Sequence, residues 1–114
     1  MDEDTDIDTV ASLLGDDCAR TILEATAAEP LSAAELAERC SVSGPTVYRR
    51  LETLREQDLV AERTRVDDDG HHYKVYTATL DRAVVDLTDE GFEIRLSRTG
   101  RMADRFTEFV EDIG

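Results

Sequence analysis

Two short helical segments separated by only three residues constrain this chain more than any other feature. Ser32-Ala-Ala-Glu35 is an S-x-x-E capping box, in which serine and glutamate satisfy each other's backbone N–H groups and start a helix. The helix is expected to run through Cys40, with Leu36, Ala37 and Cys40 facing inward. Ser41-Val42-Ser43 is a turn. Ser43 caps the next helix, and Pro45 fits its first turn, where a missing N–H costs nothing. That helix is predicted to reach about Gln57, with Val47, Leu51 and Leu54 at i, i+4 and i+7 as its buried stripe. So short a link cannot keep two helices apart. They must cross and bury their stripes against each other.

The flanks fit around this unit. Residues 1–8 read as a disordered acidic lead. Thr9 to Ala28 is helical, with Val10, Leu14, Cys18, Ile22 and Ala25 on one face, and Gly15-Asp16-Asp17 can split it, Asp16 or Asp17 serving as N-cap. Leu59 to Val66 reads as a strand, Asp67-Asp-Asp-Gly70 as a hairpin turn, and His71 to Leu80 as the returning strand. On that strand Tyr73, Val75 and Thr77 share one face, and Lys74 and Tyr76 the other. A further hairpin is expected over 81–98, with Ala83, Val85 and Leu87 alternating before the turn and Phe92, Ile94 and Leu96 after it. Thr99 caps a C-terminal helix over 99–114 with the apolar stripe Met102, Phe106, Phe109, Val110 and Ile113. The fold class is α+β: a three-helix unit over 9–80 with a hairpin wing, the additional hairpin, and the C-terminal helix.

The exposed side of the second crossing helix carries Pro45, Tyr48, Arg49 and Glu52, with Thr46 and Arg50 on its flanks. Hydrogen-bonding side chains on the N-terminal half of such a helix are what reading the major groove of double-stranded DNA requires. Arginine pairs bidentately with guanine, and tyrosine contacts a thymine methyl or a phosphate. Ser43 and the first-turn N–H groups suit a phosphate. Arg63, Arg65, His71, His72 and Lys74 on the wing are placed to straddle the adjacent backbone. An ordinary solvated face, with Arg49, Arg50 and Arg55 paired to Glu52 and Glu56, is the plainer account. The caps, the turn and the basic wing together favour DNA.

Net charge opposes that reading. The chain carries −14, and a field of that sign repels a polyanion. The acids are unevenly placed, however. From Arg39 to Arg65 there are six arginines against four acids, a local balance of +2. The basic residues are twelve Arg and a single Lys. Many acids with almost no lysine suggest adaptation to molar salt, which screens charge beyond about 3 Å.

The stretch LLGDDCARTILEATAAEPLSAAELAERCSVSGPTVYRRLETLREQDLVAERTRVDDDGHHYKVYTATL, about residues 12–80, resembles the ArsR-type winged helix-turn-helix regulators, in particular their haloarchaeal members. ELAERCSVSGPTVYRRLETLREQDLV is its specific portion. The resemblance implies a homodimer that regulates transcription by occupying a promoter. The chain departs from the metal-sensing members, whose cysteines are closely spaced, so metal sensing is not implied.

Cys18 lies in the middle of an apolar helix face, where core packing is the plain reading and a redox sensor near a dimer interface the sharper one. Cys40 reads as packing. His71 and His72 are adjacent on a strand and cannot chelate one ion together, so no metal or cofactor is expected. The C-terminal stripe either folds back on the first helix or pairs with its copy. Two-fold operators favour the dimer, with Met102, Phe106, Phe109, Val110 and Ile113 as its interface. No nucleophile–base grouping or glycine-rich phosphate loop suggests an enzyme. The unpaired cysteines, the lack of a signal peptide and the lack of a long apolar run point to the cytoplasm. A winged-helix protein-interaction module is the alternative function.

Overall fold

The computed structural model describes residues 6–99. Four helices are followed by two antiparallel hairpins: α1 (Ile7–Leu14), α2 (Asp17–Ala28), α3 (Ala33–Cys40), α4 (Gly44–Glu56), β1 (Val60–Val66), β2 (His72–Ala78), β3 (Leu80–Thr88) and β4 (Gly91–Arg98). α1 begins inside the stretch read as acidic lead, because Asp6 caps it by accepting from Asp8 N–H at 3.1 Å. The residues of the expected C-terminal helix beyond Thr99, with Met102, Phe106, Phe109, Val110 and Ile113, lie outside the described residues.

The break at Gly15 forms as the sequence suggests. Asp16 caps α2 by accepting from Ala19 N–H at 2.8 Å. The new cap changes the helical phase, so Leu13 is buried and Leu14 only half so. Both halves of the Ser32–Glu35 capping box are present. Ser41 ends α3 in the left-handed region at φ 57. Ser43 caps α4 by accepting from Thr46 N–H at 3.3 Å. The core lies where the helices cross: Val10, Ile22, Leu36, Val47, Leu54 and Leu59 are fully buried, and Leu51 nearly so.

The wing is β1–β2, in register from Val60↔Ala78 to Val66↔His72. Gly70 takes φ 84 at its turn. Leu31 fixes the wing to the helices through two backbone hydrogen bonds with Tyr76, 3.1 and 2.8 Å long. β2 is shorter than the predicted 71–80. Thr79 and Leu80 both donate to Leu59 O, at 2.8 and 3.2 Å, which turns the chain so that Leu80 already belongs to β3.

β3 and β4 form a separate sheet, and Gly91 supplies φ 120 at its turn. Ile94 and Leu96 reach the common core, whereas Val85, Leu87 and Phe92, farther out on the same face, stay exposed. The predicted apolar row is real, but only its inner end is covered among the described residues.

Candidate nucleic-acid interface

α4 presents the surface expected of it. With Val47, Leu51 and Leu54 turned inward, Pro45, Tyr48, Arg49 and Glu52 face solvent, and Tyr48 is 59% exposed. The first turn is ordered by hydroxyls: Ser43 Oγ lies 3.0 Å from Thr46 Oγ1, and Arg49 Nη2 donates to Thr46 Oγ1 at 3.4 Å. Among the described residues no carboxylate is within ion-pairing distance of Arg49. Its charge is therefore available to an incoming anion.

Arg50 does not share that surface. Its Nε and Nη2 donate to the two carboxylate oxygens of Asp16, at 2.9 and 3.2 Å. One residue along a helix is a rotation of about 100°, enough to turn Arg50 from the outer face toward the N-terminus of α2. The bonded guanidinium, first among several causes, holds the Asp16 carboxyl below the usual carboxylate range. Arg50 is thus a tie between α4 and α2.

The wing separates its bases onto two faces. Cross-strand register puts Arg63 opposite Val75 and Arg65 opposite Tyr73, on one side. His72 and Lys74 share the other side with Tyr76 and Glu62, the side toward α4. There a groove of about 400 Å³ is lined by Tyr48, Glu52, Arg55, Glu62, Lys74 and Tyr76. Glu62 organises its floor, accepting from the Tyr76 hydroxyl at 3.1 Å and lying 3.7 Å from Lys74 Nζ. Burial, with Glu62 adding to it, pushes the Tyr76 phenol up to about 12. Arg63 and Arg65 have no carboxylate partner among the described residues. His71 precedes the strand, at the wing tip. Its N–H donates to Asp67 Oδ1 at 2.9 Å, and its ring nitrogen is 3.7 Å from Asp67 Oδ2.

Two residues gain a part that the sequence reading did not give them. Arg55 lines the groove two turns after Tyr48, and the i, i+7 spacing carried that signal. Cys40 meets Cys18 across the α2–α3 packing, which no local spacing foretells.

A crossed helix pair with a capped, cation-bearing second helix and a hairpin beside it defines the winged helix-turn-helix class. Residues 14–63 match the family model described as a helix-turn-helix domain. The matched span runs from the end of α1 into the wing and includes both crossing helices. The match supports a helix-turn-helix domain of the DNA-binding kind over that span. No curated protein matches the chain. Among the described residues no helix is long and apolar enough to cross a membrane.

Proposed function

We propose that the chain is a sequence-specific transcription regulator of the ArsR-like type that binds promoter DNA as a homodimer. α4 enters the major groove, with Thr46, Tyr48 and Arg49 toward base edges and Ser43 toward a phosphate. Arg63, Arg65, His71, His72 and Lys74 of the wing contact the flanking backbone. The observation that carries this reading is the pairing of an exposed Tyr48 with an Arg49 that has no carboxylate partner, on the outer face of a helix whose inner face is locked in the core.

The homodimer supplies two copies of α4 about one DNA turn apart, as a two-fold operator requires. Two observations support it: the apolar spacing of Met102, Phe106, Phe109, Val110 and Ile113 in the sequence, and the hairpin face where Leu87 is 71% and Phe92 65% exposed. Thiol chemistry at Cys18 regulates the protein in this reading. The acidic, lysine-poor composition suits a salt-rich cytoplasm.

The test is selection of bound genomic fragments at molar KCl, followed by anisotropy titration. Tyr48→Ala and Arg49→Ala should each weaken binding by about 5- to 100-fold, with folding unchanged by circular dichroism. If neither weakens binding to a fragment that the wild type holds, α4 is not the reading helix.

A second reading has an observation of its own. Glu52 and Glu62 line the groove beside Tyr48, and the chain is −14 overall, which suits a basic protein partner. Failure to enrich any DNA sequence at any salt concentration would favour that interaction module.

A further inference from the structure

The chain has two cysteines, and the fold brings them together. Cys18 is buried in the first turn of α2, and Cys40 is the half-buried last residue of α3. The Cys40 thiol donates to the Cys18 carbonyl oxygen at 3.6 Å, and the Cys18 side chain is near enough to act on the Cys40 titration. Asp16, two residues before Cys18, is near enough for its charge to act on Cys40, while its carboxylate holds Arg50 of α4. The N-terminus of α2 is therefore a joint. It meets α3 through the Cys40 thiol on the Cys18 carbonyl and α4 through the Asp16–Arg50 pair.

We propose that Cys18 and Cys40 are a dithiol modification site, oxidised by peroxides to an intrachain disulfide that weakens DNA binding. The effect on DNA rests on the reading of α4 given above; the disulfide itself does not. Cys18 is the sulfur oxidised first, and Cys40, whose thiol burial and the contact with Cys18 push up to about 12, is the sulfur that then attacks it. A peroxide reaches the pair from the half-exposed Cys40 side. The Cys18 thiolate attacks one peroxide oxygen, the O–O bond breaks, and the departing hydroxide (or alkoxide) takes up a proton. Cys18 is now a sulfenic acid. The Cys40 sulfur then attacks the Cys18 sulfur. The S–S bond forms, the S–O bond breaks, and the leaving hydroxide carries away the Cys40 proton as water. In total, two thiols lose two electrons and two protons, and hydrogen peroxide becomes two waters.

The link to α4 is geometric. A disulfide holds its sulfurs about 2 Å apart, closer than any two unbonded sulfurs sit. Closing that gap draws the end of α3 toward α2. Cys40 is followed at once by Ser41, in the left-handed region at φ 57, and then by Ser43, the cap of α4. The pull therefore falls on the turn that sets the angle of the reading helix.

The experiment treats the full chain with a few equivalents of hydrogen peroxide, blocks the remaining thiols with a maleimide, and measures intact mass beside a non-reducing gel. The expected product is a monomeric band about two mass units lighter, with no maleimide added and full reversal by dithiothreitol. Cys18→Ser and Cys40→Ser proteins should each retain one blockable thiol or carry added oxygen instead. Cys18→Ala serves if the serine does not fold. A maleimide on both wild-type thiols, stable sulfinic acid, or a covalent dimer would overturn the site. In parallel, anisotropy on a selected fragment should show oxidised wild type binding about tenfold more weakly, restored by reductant. A disulfide with unchanged affinity would overturn the regulatory effect alone. Reduced protein that binds no DNA would overturn the α4 reading and that effect, and leave the disulfide to be decided by mass.

Discussion

Arg49 and Arg50 are adjacent, identical in type, and have different jobs. The helix turns one toward solvent and the other onto Asp16. Asp16 serves twice, capping α2 through Ala19 N–H and accepting both bonds from Arg50. A carboxyl whose pKa is lowered by folding stabilises the fold above its unfolded value, near 4, and that contribution disappears as pH falls through the folded value. The pair is partly exposed, so its worth is modest. Asp16→Asn should lower stability by about 1 kcal/mol at neutral pH, since asparagine keeps the cap but loses the charge. In urea titrations the gap between wild type and variant should narrow as pH drops below about 4. A gap of constant size would show that the charge of Asp16 contributes nothing.

At the level of elements, what was legible in the sequence is what local chemistry specifies. The Ser32–Glu35 box, the Ser43 cap, the break before Asp16 and both hairpin turns are each written within about four residues, and each forms. Ser32→Ala should therefore cost about 1 kcal/mol in chemical denaturation. What the sequence hid depends on contacts between elements. The early end of β2 needs the Leu59 carbonyl, 20 residues before Thr79 takes it. The Arg50 tie spans 34 residues and the cysteine contact 22. The candidate site divides the same way. Tyr48 and Arg49 follow from the phase of one helix, but the split of the wing bases needs the strand register. That split has a measurable consequence. Arg63 and Arg65 lie on the wing face away from the α4 groove, where backbone contact carries no sequence information. Replacing both with alanine should weaken binding to all sequences alike and reduce the slope of log affinity against log salt by about 2. Loss of affinity confined to one operator, at an unchanged slope, would instead make them base readers.

For the whole molecule the governing quantity is an excess of 14 negative charges on 114 residues. Two effects of salt oppose each other. Screening weakens surface ion pairs such as Lys74–Glu62, Arg55–Glu52 and Arg95–Asp86, each worth about 0–1 kcal/mol. It also relieves repulsion among the surplus carboxylates, including the run Asp67-Asp68-Asp69 at the wing tip, where the Asp67 carboxylate accepts from the N–H groups of Asp69 and His71. The surplus is large and the pairs are weak, so relief should win. The thermal midpoint is expected to rise with KCl, and the form of the rise identifies its cause. The screening length shrinks from about 10 Å at 0.1 M to about 3 Å at 1 M, so repulsion-driven gain comes mostly below 1 M and then levels off. General salt exclusion from the protein surface would instead keep adding stability at higher concentrations. The same screening lets a −14 chain approach DNA, leaving the +2 balance between Arg39 and Arg65 as the field that a phosphate meets at close range. A midpoint that falls between 0.1 and 1 M would mean that the ion pairs outweigh the repulsion. The acidic composition would then offer no route by which high salt favours both the fold and its approach to DNA.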